Sequence, residues 1–491
     1  MSPRLSEVES VIGKLPTQMF VGGRHVDAQS GERLESVDPG TGGVIGSVPA
    51  GDADDITAAV EDAKRALHGP WADMAPRERG RLLWRIGEAI RERADHFALV
   101  ETLDQGRPLS EARVSILRTA DYFCYYAGIV DKLQGETVPL GRDKTCFTLN
   151  EPIGITGHIV PWNVPVSMVA RGVAPALACG NTAVVKPAED TPLSAIMLAE
   201  LMVETGLPPG VCNLVTGYGE TAGAALAAHE DVGHITFTGS VETGKAVMTA
   251  AASHLASVTL ELGGKSPHLI LKDADLDKVV PDALAGVYRN AGQICSAGTR
   301  LLAEEEICQE LTERLVAGAK NMTVGHGLDS PDMGPLVSNR QLQTVTGYIE
   351  RAKERGITIL TGGNAPVIEG CEGGFFVEPT VAADVPASDE LAQEEVFGPV
   401  LAVMSVSSLE SAIEIANGTA YGLAAGIHTR DIAKAMKFAR QVEAGQVFIN
   451  GYHGAGDTVP FGGFKQSGIG REKGLAALAN YCETKAITVT G

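Results

Sequence analysis

The segment ITGHIV, residues 155–160, is the first of five short runs rich in β-branched residues between positions 153 and 271. Segments rich in Ala and Leu separate these runs, which is the spacing of strands that alternate with helices. Each helix would return the chain to the same edge of one sheet, so the stretch predicts a parallel, doubly wound sheet. The other four runs are TAVV at 182–185, VCNLV at 211–215, ITFT at 235–238 and VTLEL at 258–262.

A second alternating region, from about 275 to 450, predicts a second α/β domain. Upstream of both regions, residues 52–135 are expected to be helical, because apolar side chains recur there at steps of three and four. In the second region the expected helices lie near 304–320, 338–355 and 430–442, and the expected strands near 358–360 and 400–406.

Two further elements are expected to form edge strands. Residues 136–140 and 145–149 flank a Gly-Arg-Asp turn and predict a β-hairpin, and the tail 486–490 has the composition of a strand. An edge strand leaves backbone donors and acceptors without partners. We therefore expect a neighbouring subunit to pair with both elements.

The overall composition excludes several classes of function. The 491 residues carry a formal net charge of -21, so the chain lacks the basic surface that binds nucleic acids or anionic membranes. The eight cysteines do not have the paired spacing of a disulfide framework or a zinc site. No apolar run approaches the length of a membrane span, and the N-terminus has no signal-peptide core. We expect reduced thiols, no metal, no nucleic-acid or membrane partner, and a cytoplasmic location.

Two segments have the chemistry of a dinucleotide site. GSVETG, residues 239–244, follows one predicted strand and precedes a helix, whose N-terminus would offer backbone N–H groups to a pyrophosphate. An ordinary strand-to-helix turn is the alternative. KPAE, residues 186–189, follows another predicted strand, and Glu189 is suited to bind two ribose hydroxyls and to repel a 2′-phosphate, which favours NAD. A solvated ion pair is the alternative there.

A candidate nucleophile and a candidate base lie near the middle of the chain. Cys295 lies in GQICSAG, residues 292–298, where small neighbours leave the thiol accessible, and Glu261 begins ELGGK, residues 261–265. A thiolate attacks an aldehyde, and a carboxylate activates the water that hydrolyses the resulting thioester. The pair therefore predicts oxidation of an aldehyde to an acid, although a cysteine taken alone is more often a buried, inert thiol.

Seven motifs, in order and in spacing, resemble the NAD(P)-dependent aldehyde dehydrogenase superfamily along essentially the whole chain. They are PWNVP (161–165), KPAE (186–189), FTGS (237–240), ELGGK (261–265), GQIC (292–295), EEVFGP (394–399) and FGGFKQSG (461–468). The resemblance implies two doubly wound α/β domains plus an oligomerisation β-arm, in a homodimer or homotetramer. The implied NAD-binding domain comprises 1–128 and 150–262, the catalytic domain 263–478, and the arm 129–149 and 479–491.

The resemblance also implies the roles of site residues. Cys295 would be the nucleophile, Glu261 the base for hydrolysis, and the Asn163 amide with the backbone N–H of Cys295 would stabilise the oxyanion. Lys186 and Glu189 would hold the adenosine ribose of NAD, and Glu395 and Phe397 the nicotinamide ribose and ring. The residues expected to bind NAD are Trp162, Lys186, Glu189, Gly239, Ser240, Glu395 and Phe397.

One departure from the family concerns proton exit. Many members have a lysine where this chain has Gly172, which puts an exit route through that position in doubt. Glu472 could relay the proton instead.

The expected substrate is an ω-carboxy aldehyde. Arg171 and Arg289 resemble the two arginines that bind the substrate carboxylate in succinic semialdehyde dehydrogenases, and a guanidinium in an apolar tunnel is best matched by a carboxylate. The subgroup's second reactive cysteine is replaced by Ala297. Asp457 lies where that subgroup offers a hydroxyl, and it could neutralise one arginine or select a less acidic substrate. The alternative for each arginine is an ion pair with an internal acid.

Three other functions stay open. They are a dehydrogenase for neutral aliphatic or aromatic aldehydes, a CoA-acylating relative, and a non-catalytic NAD-binding structural homologue. A CoA-acylating enzyme does not need a hydrolytic base, so Glu261 argues against it. A structural homologue would be free to lose Cys295 or Glu261, and both are present.

Overall fold

The computed structural model describes residues 11–452 and 456–490, and its largest sheet lies in the N-terminal half. Five adjacent strands of this sheet are parallel, and they coincide with the five runs predicted from the sequence. Antiparallel strands extend it at both edges. In spatial order the strands are Gly468–Ile469, Ser257–Glu261, Val232–Thr238, Ile155–Ile159, Thr182–Lys186, Cys212–Leu214, Met19–Val21 and Arg24–Val26.

Helices cover both faces of this sheet. Ala183 and Val185 point into one hydrophobic core and Val184 into another, as expected because alternate residues of a strand face opposite sides. Burial on both sides explains why the central strands are continuous apolar runs. The helices of this half are Ala53–Leu67, Pro70–Asp73, Pro76–Glu92, Ala94–Gln105, Leu109–Ala127, Pro165–Cys179, Leu193–Glu204, Ala224–Ala228 and Val241–Ala252. The first five confirm the helical prediction for 52–135.

The second alternating region forms a seven-stranded sheet, so the predicted α/β fold is confirmed. Six strands are parallel, and Thr358–Thr361 pairs antiparallel at one edge. The spatial order is Thr358–Thr361, Thr380–Ala383, Val400–Val406, Arg300–Glu304, Pro267–Ile270, Ala424–His428 and Gln446–Ile449. The helices are Leu276–Tyr288, Glu305–Asn321, Asn339–Glu354, Glu390–Gln393, Leu409–Asn417 and Ile432–Gln441.

The two predicted edge elements pair with each other inside one chain. Lys144–Pro152 lies between Thr137–Val138 and Cys482–Thr490 in an antiparallel sheet of three strands. The tail therefore satisfies one edge of the hairpin, which corrects the expectation that a neighbouring subunit pairs with both elements. Within the described part of the chain, the other edge of Cys482–Thr490 has no strand beside it, and we expect subunits to associate there.

Some features of the fold were not predicted from the sequence. Met19–Val21 and Arg24–Val26 extend the first sheet, and Arg33–Val37 pairs with Val44–Pro49 in a sheet of two strands. Gly468–Ile469 joins the first sheet although it lies within 263–478, the range assigned to the catalytic domain. The domain boundaries stay a prediction. Among the described helices, none combines the length and the apolar character that crossing a lipid bilayer requires.

Candidate active site

One cavity of about 600 Å³ lies where loops that follow strands of the first sheet face loops that precede strands of the second. Its lining contains every predicted site residue except Lys186 and Glu189. The lining residues are Cys295, Glu261 and Asn163, then Trp162, Gly239, Ser240, Glu395 and Phe397, and finally Arg171, Arg289 and Asp457.

A strained turn positions the loop that carries Cys295. Asn290, Ala291 and Gly292 have φ angles of +49°, +53° and +74°. Left-handed backbone costs roughly 1–2 kcal/mol for a residue with a side chain. The turn is held by Gln293, whose Nε2 donates to the Asn290 carbonyl over 2.9 Å and whose Oε1 accepts from the Val337 N–H over 2.9 Å.

The surroundings of the Cys295 thiol keep it protonated at rest. Burial raises the pKa of the thiol to about 12, and Arg171 and Lys473 act in the opposite direction. Glu395 and Glu261 add to the increase, because a carboxylate disfavours a second negative charge nearby. Formation of the thiolate therefore requires a proton acceptor in the cavity.

Asn163 joins the loop after one strand of the first sheet to the Cys295 loop. Its Nδ2 donates to the Gln293 carbonyl over 2.9 Å. Its own carbonyl accepts from Asn290 Nδ2 over 3.0 Å and from the buried Arg107 guanidinium over 3.2 Å. These bonds fix the Asn163 amide beside the nucleophile.

Glu261 ends the strand Ser257–Glu261, and its carboxylate is almost fully buried. Burial is the main cause that raises the pKa of Glu261 well above its usual value, while Arg171, with Nη2 at 3.8 Å, opposes the increase. The raised pKa makes this carboxylate a stronger proton acceptor than an exposed glutamate.

Arg171 lines the cavity, but its guanidinium has internal acidic partners, so its role in a carboxylate clamp stays a prediction. Its Nε forms an ion pair with the buried carboxylate of Glu472, its Nη2 approaches Glu261, and its guanidinium lies 4.3 Å from the centroid of the Phe461 ring. A buried cation needs such partners, because an unpaired charge in the interior is costly. The internal ion pair, the alternative for this arginine, is the one observed.

Arg289 and Asp457 occupy the outer part of the cavity. Arg289 follows the helix Leu276–Tyr288 and is exposed at the cavity wall, near Glu111. Asp457 faces Tyr122, Lys473 and Arg118. Burial raises the pKa of Asp457, and Lys473 opposes the increase. The cations beside Asp457 are therefore Lys473 and Arg118, whereas the sequence suggested that it could neutralise one of Arg171 and Arg289.

The residues predicted to bind the cofactor lie on two sides of the cavity. Lys186 ends its strand and donates to Glu189 Oε2 over 2.8 Å, outside the cavity lining but at the same sheet edge. The helix Val241–Ala252 begins at the cavity, where Ser240 accepts from the Thr243 N–H over 3.1 Å.

Glu395 and Phe397 come from the second sheet's side of the cavity. Glu395 accepts from the Gly264 N–H over 3.0 Å, and burial raises the pKa of its carboxyl to about 7. Phe397 has a φ of +53° and packs edge-on against Trp162 with ring centroids 5.2 Å apart.

The comparisons with known proteins place this cavity in a known family. The model of the aldehyde dehydrogenase family matches residues 25–487. The chain belongs to the aldehyde dehydrogenase family. It is 44% identical over 485 residues to aldehyde dehydrogenase family 2 member C4 of Arabidopsis thaliana, covering 97% of this chain and 96% of the relative.

Two further relatives are similar over almost the full length. A hydroxyisobutyraldehyde dehydrogenase of Mycolicibacterium austroafricanum is 44% identical over 475 residues, covering 96% of this chain and 94% of the relative. The NAD+ complex of an aldehyde dehydrogenase from Bacillus cereus superposes with a TM-score of 0.96 at 41% identity, covering 100% of this chain and 99% of the other. The enzyme class predicted from the sequence is confirmed at the level of the family.

Sequence reasoning missed one wall of the cavity in this family member. The helix Leu109–Ala127 supplies cavity-lining residues three and four positions apart, which lie on one face of a helix. That spacing is visible in the sequence, but it gains meaning only when the helix is placed against both sheets. The lining residues of this helix are Ser110, Glu111, Val114, Ser115, Arg118 and Tyr122.

Lys473 was also missed. It lines the cavity with a φ of +61°, and its Nζ lies 5.0 Å from the centroid of Phe461 and 5.9 Å from that of Tyr122. Burial lowers the pKa of Lys473 to about 8, and the nearby Arg171 contributes. The sequence signal was its position directly after Glu472.

Replacing Gly292 by alanine should displace the nucleophile. A Cβ at Gly292 would overlap the Gly398 carbonyl, so we expect kcat/KM for aldehyde oxidation to fall by about 100-fold, the scale of a misplacement of about 1 Å. Gly31→Ala is the matched control, because its φ of +73° is equally left-handed and no atom lies within 4 Å of a new Cβ. Steady-state rates and thermal unfolding are measured for both variants. Equal losses of activity in the two variants would show that the contact with Gly398 does not position the Cys295 loop.

Proposed function

We propose that this protein oxidises an aldehyde to a carboxylic acid with NAD, through a thiohemiacetal and a thioester on Cys295. The observation that carries the proposal is that one cavity contains the thiol of Cys295, the amide of Asn163 and the carboxylate of Glu261 beside the N-terminus of a helix. Family membership supports the reaction, and the shared cavity supports the roles of these residues.

The residues around the cavity fit NAD. The N-terminus of Val241–Ala252 carries the partial positive charge that a pyrophosphate requires. The partly exposed carboxylate of Glu189 is suited to the adenosine ribose hydroxyls, and its negative charge disfavours NADP. Glu395, Phe397 and Trp162 border the same cavity as Cys295, which suits the nicotinamide end. Bound by these residues, NAD would supply the hydride acceptor for oxidation of the aldehyde carbon.

The first half of the reaction uses Cys295 and Asn163. The Cys295 thiol first gives its proton to a base in the cavity, a role suited to the neutral amine of Lys473, whose pKa burial lowers to about 8. The resulting thiolate attacks the aldehyde carbon, and negative charge develops on the carbonyl oxygen. The Asn163 Nδ2 group, fixed by its bond to Gln293, and the backbone N–H of Cys295 donate to that oxygen. Neutral donors stabilise the new charge without pairing with the Cys295 thiolate before it attacks, as a cation would.

The second half uses Glu261 and its buried neighbours. Glu261 removes a proton from the water that attacks the thioester. The raised pKa of Glu261 makes it a stronger base than an ordinary carboxylate. The proton then passes toward Glu472, which Arg171 holds by an ion pair, and Lys473 provides a nearby ammonium whose pKa of about 8 permits exchange near neutral pH.

We propose an ω-carboxy aldehyde as the substrate, with Arg289 as the main contact of its carboxylate. Arg289 is exposed at the cavity wall, and Arg118 adds a second cation to the lining, so the outer cavity can attract a carboxylate. A neutral aliphatic or aromatic aldehyde is the alternative, because Arg171 is paired internally and Asp457 places an acid in the cavity. The relative named for hydroxyisobutyraldehyde is consistent with this alternative.

We further propose that the protein is a cytoplasmic homodimer or homotetramer. The subunits associate through the outer edge of Cys482–Thr490, because the inner edge of this strand already pairs with the hairpin of the same chain.

Glu261→Gln should separate the two half-reactions. We expect a burst of NADH equal to the active sites, followed by slow turnover, because thioester formation does not need the hydrolytic base. In the wild type, hydrolysis should slow on acidification at a higher pH than an ordinary glutamate would dictate, because burial raises the pKa of Glu261. Rapid-mixing absorbance of NADH measures the burst and the pH dependence of the later turnover. A loss of activity without a burst would mean that Glu261 acts earlier, on the Cys295 thiol.

Glu189→Ser should shift the cofactor preference from NAD toward NADP. The substitution removes the ribose hydrogen bonds and the repulsion of a 2′-phosphate together. Glu200→Ser is the control, because that carboxylate pairs with His25 on the surface. The ratio of kcat/KM for NAD and NADP is measured for all three proteins, and a wild type that already prefers NADP would contradict this role of Glu189.

Arg289→Leu should raise KM for an ω-carboxy aldehyde about tenfold to 100-fold, the scale of a lost charge-assisted contact of about 2 kcal/mol. A neutral aldehyde of equal length should be oxidised as well as before. Arg142→Leu, at an exposed turn, is the control variant. Equal losses on both aldehydes would mean that Arg289 is structural, and a wild-type preference for the neutral aldehyde would favour the alternative substrate class.

A further inference from the structure

Two histidines and an aspartate converge on one point beneath the Cys295 loop. Oδ2 of Asp282 lies 2.9 Å from Nε2 of His428 and 4.0 Å from Nε2 of His268. One donor atom from each of the three residues lies within 4.8 Å of the others. This cluster was not predicted from the sequence, because its members are 14 and 146 residues apart.

The backbone fixes this cluster before any ligand binds. His268 lies on Pro267–Ile270 and His428 on Ala424–His428, two paired parallel strands with Ile270 opposite His428. The helix Leu276–Tyr288 carries Asp282 over them. His268 is 1% and His428 5% exposed, whereas the Asp282 side chain retains 19%, which leaves an opening on the carboxylate side.

We propose that His268, Asp282 and His428 bind a divalent transition metal of the zinc type. Tetrahedral bonds of about 2.0–2.1 Å place donor atoms about 3.3 Å apart, and the separations of 2.9 and 4.0 Å lie on either side of that value. Imidazole nitrogens and one carboxylate suit zinc, nickel or copper rather than magnesium or calcium. Water at the Asp282 opening completes the coordination.

The surroundings of Asp282 support a ligand role over a simple hydrogen bond to His428. The Tyr452 N–H donates to Asp282 Oδ2 over 2.8 Å, which orients the carboxylate as outer contacts orient metal ligands. Nε2 of His268 lies 4.0 Å from the same oxygen, so one ion can contact both atoms.

The site is coupled to the nucleophile through Tyr452. Its ring lies 4.6 Å from the ring of His268, and its hydroxyl donates to the Ser296 carbonyl over 3.1 Å, one residue after Cys295. A metal that draws His268 and Asp282 together would therefore act on the loop that carries the thiol.

The test is calorimetric titration of the metal-free, full-length protein with Zn²⁺. Cys295→Ala serves as the common background, because a cavity thiolate would itself bind zinc. We expect one zinc per subunit, with at least tenfold weaker binding in Asp282→Asn, His268→Gln and His428→Gln, and no change in His96→Gln, an exposed histidine. His428→Gln keeps an N–H donor for Asp282, so it tests the metal ligand while a structural hydrogen bond can persist.

Thermal unfolding gives an independent readout. Zinc should raise the melting temperature of the background protein and leave that of His428→Gln unchanged, because a ligand stabilises only the fold that binds it. Binding that the three variants leave intact, or binding that is lost with Cys295 alone, would overturn the proposal.

Discussion

The candidate site residues that line the cavity depend on one geometric constraint, the meeting of two mainly parallel sheets. The first sheet contributes the carboxyl ends of its strands, with Glu261 ending one strand and Asn163 following another. The second sheet contributes segments that precede its strands, with Cys295 before Arg300–Glu304 and Glu395 before Val400–Val406. The bond from Asn163 to the Gln293 carbonyl joins the two sides. A shift between the sheets would therefore separate the Cys295 thiol from the Asn163 amide and the Glu261 carboxylate.

The cavity contains several buried charges whose mutual pairing decides what each can do. Arg171 lies between Glu472 and Glu261, and Lys473 lies beside the same group. Removing one member would leave its partner unpaired in the interior, at a cost of about 3–5 kcal/mol. This cluster explains why Arg171, which resembles a substrate-binding arginine in the sequence, forms an ion pair with Glu472 in the structure. It also leaves the exposed Arg289 as the better candidate for an external anion.

The sequence predicted those parts of the fold that have a periodic signal. The central strands were recognisable because burial on both faces demands apolar runs, and the tail strand because of its β-branched residues. Charge pairing was beyond reach, since nothing local in the sequence indicates that Arg171 and Glu472 meet across 301 positions. The His268, Asp282 and His428 cluster was missed for the same reason. The pairing of Lys144–Pro152 with Cys482–Thr490 was also missed. The sequence of an edge strand does not show whether its partner strand belongs to the same chain or to a neighbouring subunit.

The cavity amine comes from Lys473, and a packing constraint at Gly172 explains why the helix Pro165–Cys179 does not supply it. A Cβ at Gly172 would lie 2.5 Å from Nδ1 of the buried His158, so the helix Pro165–Cys179 has no room for a side chain at the position where many family members have lysine. Burial lowers the pKa of His158 to about 3, so this histidine is neutral and does not replace the missing cation. Lys473 brings an amine to the cavity from another segment, on a left-handed backbone directly after Glu472. The cation is therefore held by a loop between the sheets instead of a rigid helix, and its position depends on the packing of Phe461 and Tyr122.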